Sequence, residues 1–188
     1  LFAEYYNPGT AKAINGPALP EVEPDNPGYP SPPSGLQVIE ELLFPVYDTA
    51  AYNELLLQSK TLHGAINRLV MVNKELSFTN EHIFDAIRLE IFRLQILGIS
   101  GFDSPIAFTS IAEIPVTLNA LQQYIALYKA STDDRNFNLL DNLFQRSMQY
   151  AKDNNDFNSF NRAQFIAAYL NPLTTALNSL QEKMGIAY

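Results

Sequence analysis

SIAEIPVTLNALQQYIALY, residues 110–128, places Ile111, Ile114, Leu118, Leu121, Ile125 and Tyr128 at alternating three- and four-residue steps. That spacing lines one face of an α-helix and no face of a strand. The same period continues on both sides. Downstream, residues 134–152 carry Leu140, Leu143, Phe144 and Met148, and a helix from about Asn161 carries Ile166, Tyr169, Leu173, Leu177, Leu180 and Met184. Pro172 is expected to kink or break that last helix, because it lacks a backbone donor. Upstream, Thr79 or Asn80 caps a helix with Ile83, Ile87, Ile91 and Leu94, and residues 48–73 form a longer one with Leu55, Leu62, Ile66 and Leu69. A short helix comes before these, with Leu36, Ile39, Leu42 and Leu43 as its stripe. A capping box of Ser34 with Gln37 would open it, and Phe44 before Pro45 would stop it.

No segment alternates with period two for long enough to form a strand. Short connections between long helices make antiparallel neighbours, so the expected fold is all-α, an up-and-down antiparallel helical bundle over residues 35–188. Residues 1–34 differ in character. Seven of the chain's 12 prolines fall between Pro17 and Pro33, among Glu21, Glu23, Asp25 and Gly28. The expectation is an extended Pro-rich lead-in, a strap packed on or tethered to the body. Phe2, Tyr5 and Tyr6 suggest the end of a helix that begins further upstream.

A chain of 188 residues, 47% hydrophobic, can bury roughly 70% of its unfolded surface around one core. The net charge of -8, with 12 scattered basic residues, argues against nucleic acid, which needs clustered Lys and Arg. With 0 cysteines, disulfides, zinc knuckles and covalent heme c attachment are excluded within this segment. No apolar run approaches the ~20 residues of a membrane span, so no transmembrane segment is expected.

The candidate polar cluster begins at Gln37 and Glu40. Two readings stand open. In one, Gln37 is the third position of the capping box and Glu40 favours the positive end of its helix. In the other, Glu40 faces a buried cation, Arg93 or Arg68, as a carboxylate on an apolar face requires. Glu90 and Arg93 likewise read either as an exposed helix pair or with Arg93 turned inward. Gly101-Phe102-Asp103-Ser104-Pro105 is a turn by its own chemistry, and Gly101 and Asp103 join the cluster in the binding reading. His82 and Asp85 could offer two metal ligands from one helix, but two ligands do not make a site. His82 is therefore read as a first-turn histidine and His63 as the flank of a packed face. Residues 153–158 fail the calcium-loop pattern, with Phe157 where an oxygen ligand belongs, and read as a polar turn. No nucleophile, acid/base pair or metal set is complete, so this segment alone is not expected to be an enzyme.

Gly35-Leu36-Gln37-Val38-Ile39-Glu40 resembles the Gly-x-His-x-x-Glu signature of imelysin-like proteins, with Gln37 in place of the histidine. Together with Ala11-Lys12-Ala13-Ile14-Asn15-Gly16-Pro17, residues 97–105 and residues 160–173, it is similar to the imelysin-like helical region ahead of some Bacteroidetes diheme cytochrome c peroxidases. The resemblance covers nearly the whole chain. It implies an exported protein of the periplasm or cell envelope, often a lipoprotein with a lipid anchor upstream, linked to iron or heme proteins. It also implies a non-catalytic accessory role, docking or positioning a heme peroxidase domain of the same chain, with heme c only in that downstream part. A stand-alone periplasmic protein is the alternative, binding iron, heme or another small ligand near Gln37, Glu40, Gly101 and Asp103. The missing histidine puts the family's metal site in doubt here, and no metal or cofactor is expected in this segment.

Overall fold

The computed structural model describes residues 8–16, 20, 22, 28–30, 32–131 and 134–188. The described residues form helices and turns and no strand, which bears out the all-α bundle. Most of the proline-rich strap and the Phe2, Tyr5, Tyr6 segment lie outside the described residues. Part of the lead-in is helical rather than extended: α1 runs Pro8–Asn15, with a proline at the one helical position where a missing N–H costs nothing. The remaining helices are α2 Leu36–Leu43, α3 Tyr52–Glu75, α4 Asn80–Ile96, α5 Ser110–Ala126, α6 Asp134–Asp153, α7 Arg162–Phe165 and α8 Asn171–Lys183.

The chain divides into two compact units. The first unit comprises residues up to Ser77 with Asp103–Ala107, and the second comprises Phe78–Phe102 with Phe108–Tyr188.

In the first unit α1, α2 and α3 pack pairwise. Gly35 rather than Ser34 is the N-cap of α2, and no side chain caps it. The expected capping box is absent because the chain needs a different backbone here. Gly35 has φ 102°, and a Cβ at this position would lie 2.6 Å from the Ile14 carbonyl oxygen. Only glycine admits both that conformation and that approach of α1 to the start of α2. The helix stops at Phe44, in extended backbone before Pro45.

In the second unit α4, α5, α6 and α8 enclose an apolar core. Phe84, Ile87, Ile91, Ile111, Ile114, Leu118, Leu140, Phe144, Leu173 and Leu177 are all fully buried, the faces that the three-and-four spacing marks. Each such side chain contributes about 1.5–3 kcal/mol by leaving water. Pro172 does not break the last helix. Residues Ile166–Leu170 instead form one turn of π-helix, and α8 resumes with Pro172 in its first turn. The wider turn accommodates the missing donor and the ring without ending the helix.

Candidate functional site

Of the residues singled out in α2, Glu40 meets the backbone of the 103–107 segment. Glu40 is 9% exposed and Gln37 6%. Oε1 of Glu40 accepts the N–H of Ile106 at 3.1 Å and that of Ala107 at 2.6 Å. Two consecutive peptide N–H groups aimed at one carboxylate oxygen form a small anion-holding concavity, so the segment is held on α2 by charge-assisted bonds. Asn15, the last residue of α1, adds a second tie, donating through Nδ2 to Oδ1 of Asp103 at 3.1 Å. Ser104, between these ties, is buried. Glu40 and Asp103 thus belong to one polar knot in the first unit, and Gln37 is buried on the same helix as Glu40.

Glu40 is met by backbone donors of its own unit, the N–H groups of Ile106 and Ala107. A short loop turned inward can present two donors without the desolvation that a buried Arg would bring. The other carboxylate oxygen, Oε2, is buried and has no hydrogen-bond partner among the described residues. A buried acceptor left unmade costs about 1–3 kcal/mol. It is the one place in the knot where an additional donor or cation would be favourable.

Arg93 and Gly101 fall in the second unit. Arg93 lies in the last turn of α4, where a cation suits the helix dipole. Gly101 has φ 82°, and a Cβ there would lie 2.7 Å from Cζ of Phe157. Its side-chain space belongs to an aromatic ring, so the residue is a packing glycine. That ring is also 4.8 Å from the ring of Phe108 and 4.5 Å from the guanidinium of Arg162. Arg162 donates through Nε to Ile99 O at 2.6 Å, through Nη1 to Phe160 O at 3.3 Å and through Nη2 to Phe157 O at 2.9 Å. It pins the 97–102 turn to the α6–α7 connection. Sequence reasoning did not single it out, although an arginine between Phe160 and Phe165 right after a capping Asn161 carried a faint signal.

A second arginine was missed. Arg88 donates to Asp85, to Oε1 of Gln181 at 3.0 Å and to Oδ1 of Asn178 at 3.4 Å, and lies 5.0 Å from the ring centre of Tyr188. The fully buried Gln181 in turn donates to Ala187 O at 2.6 Å, which ties the last described residues to α8. The hydroxyl of Tyr188 is pushed up from its ordinary pKa, first by desolvation and then by Glu182. Burial likewise raises Tyr128, with the charge of Glu81 adding to it.

His82 closes a capping box. The N–H of Thr79 donates to its Nδ1 at 3.2 Å, and Thr79 Oγ1 accepts the His82 N–H. His63 bonds Asn67 one turn along α3. Among the described residues, no group of three or more His, Asp or Glu is arranged to hold a metal ion. The 153–158 segment is a polar turn in which Oδ2 of Asp156 accepts from the N–H and hydroxyl of Ser159. An open cleft of about 580 Å³ lies beside the π-turn, lined by Leu139, Leu143, Ala167, Pro172 and Lys183 among others.

Apolar side chains around α2 and along α3 face solvent. Val46 is 83% exposed, and Leu36, Leu43, Phe44 and Tyr47 are also exposed. No helix among the described residues is long and apolar enough to cross a membrane. Compared with known proteins, the chain matches no family model, no curated protein and no solved structure.

Proposed function

We propose that the chain is a non-catalytic interaction domain that docks or positions the heme module of an exported diheme cytochrome c peroxidase-type protein. The observation that carries the interaction reading is the run Leu36, Leu43, Phe44, Val46 and Tyr47, large apolar side chains exposed on and just after one short helix. Such a group facing water marks a binding surface more often than a scatter of single apolar residues does. The Glu40 bonds hold that helix in place, so little ordering free energy is spent when a partner arrives. The resemblance to imelysin-like regions supplies the class of partner, and with it an envelope location and an upstream lipid anchor.

An antibody to the domain and a heme-stained gel of the source cell envelope test this together. A heme-positive band well above 21.1 kDa is the expected result. A heme-free band at that size removes the peroxidase partner, and the Val46→Asp variant then tells whether the apolar run binds anything in the envelope.

The unpartnered Oε2 of Glu40 favours a second reading, a stand-alone protein that holds an iron species, heme or another small ligand at the polar knot. Equilibrium dialysis with iron, zinc and heme, on the wild type and on Glu40→Gln, decides it. Stoichiometric binding lost in the variant supports this reading, and no binding by the wild type ends it.

A further inference from the structure

Helix α3 is 24 residues long and contains no buried residue. Its stripe Leu55, Gln58, Leu62, Ala65, Leu69 and Val72 is half-buried, at the three-and-four spacing of a packed seam. A second stripe at the same spacing lies beside it: Tyr52, Leu56, Ser59, His63, Ile66 and Val70. Every one of these is exposed, the four apolar ones by 39–57%. A helix with two heptad seams, one of them open, is built to pack on two sides.

The open seam is nearly its own mirror image about Thr61. Tyr52 and Val70 are equidistant from that position, as are Leu56 and Ile66, and Ser59 and His63. Its ends are apolar and its middle is polar. Charge along the segment is polarised as well. Asp48 and Glu54 precede Leu55, whereas Lys60, Arg68 and Lys74 follow with no acid among residues 55–74. Asp48 and Lys74 are also equidistant from Thr61.

We propose that α3 pairs antiparallel with α3 of a second copy of this chain, about a two-fold axis beside Thr61. In that register Tyr52 meets Val70 of the other copy, Leu56 meets Ile66 and the polar layer pairs Ser59 with His63, while Asp48, which caps the 49–51 turn leading into α3, comes to the Lys74 end. A parallel pair would set Lys60 and Lys74, which flank the seam, against their own copies, and an anionic lipid surface would repel the Asp48 end. The antiparallel copy satisfies both ends and is the isologous contact expected of a two-fold dimer. From Tyr52 to Val70 the seam is about 27 Å long. A strip of that length and one helix wide, ~10 Å, covers only about 300 Å², well under the about 800 Å² per partner of a standard interface, so the dimer forms with rising concentration and is not obligate. The pairing uses α3 alone and stands whether or not the α2 surface docks a heme module.

The chain has no native cysteine, so introduced thiols report cleanly. Ser59→Cys and Ser59→Cys mixed with His63→Cys are oxidised mildly in the 188-residue chain and run on a non-reducing gel, beside His63→Cys alone. The mixture is expected to give a cross-linked dimer several-fold above either variant alone, through a 59–63 disulfide. Adding Ile66→Asp to both is expected to abolish it, with the far-ultraviolet circular dichroism unchanged. Should Ile66→Asp unfold the chain, Lys74→Asp is used instead, with a several-fold drop restored by Asp48→Lys in the same chain. Dominant self-disulfides in either single variant mean a parallel pair and overturn the proposal. So does a mixture no better than Ser59→Cys paired with a cysteine at exposed Asn158.

Discussion

The two units of this chain are held together by different physics. In the second, twenty-odd apolar side chains from α4 to α8 are withdrawn from water, whereas in the first only Val38 is a buried apolar residue among those described. What the first unit has instead is a set of local ties: Gly35 against the Ile14 carbonyl, Asn15 on Asp103, and Glu40 on two backbone N–H groups. Hydrogen bonds of this kind specify where elements meet but contribute modestly to net stability. A unit with little core and open apolar seams depends on what it binds, and a unit with a dry core can serve as the scaffold.

The largest effect that would sharpen this contrast comes from the core. Phe144→Ala or Leu118→Ala, each at 0% exposure, is expected to destabilise the second unit by about 3–5 kcal/mol in urea unfolding. Leu62→Ala on half-buried α3 should change the same transition by less than about 1 kcal/mol. Equal losses would erase the distinction. Next in size is Arg162→Ala, which strands three carbonyls and a ring face and should cost about 2–3 kcal/mol. Arg162→Lys should recover only part of that, since one ammonium cannot reproduce the fork. Gly101→Ala belongs with it, because the new methyl meets Phe157 in a left-handed backbone.

Glu40→Ala should act locally and more weakly. Hydrogen exchange at the Ile106 and Ala107 amides is expected to rise markedly, while Glu40→Gln, which keeps an acceptor, should leave it nearly unchanged. Amides that stay protected in Glu40→Ala would show that the knot is held by something else.

The smallest effect is acid sensitivity of the α6–α7 turn. The Ser159 hydroxyl and N–H hold the carboxyl of Asp156 below its ordinary value. A depressed carboxyl stabilises the fold above its unfolded pKa, and that contribution disappears as pH falls through the folded pKa, here below 3.8. A carboxyl titration of Asp156 by NMR should move back toward the ordinary value in Ser159→Ala. No movement would mean that the turn bond is not made in solution.

Most of the second unit was legible in the sequence. Its helices bury one face each, so the stripe from Ile111 to Tyr128 and the cap at Thr79 carry their information locally. In the first unit the helices α2 and α3 were legible as well, but its ties were not, because they join residues far apart in the chain. Nothing near Glu40 announces that its partners are peptide groups of Ile106 and Ala107, and backbone donors have no sequence signature. The Gly35 cap was misread for a similar reason, since Ser34 and Gln37 satisfy a local rule while the approach of α1 decides the matter. Where Pro172 was expected to kink or break the last helix, a π-turn precedes it and the helix runs on. Arg162 and Arg88 escaped notice because both act on partners across the fold.

Hydrogen exchange on the whole chain at low and at high protein concentration tests the contrast most directly. Slow amides are expected in α5 and α6 at both concentrations, and in α3 fast amides when dilute that slow on concentration between Tyr52 and Val70. Amides in α3 as slow as those of α5 in dilute solution, unchanged on concentration, would contradict it.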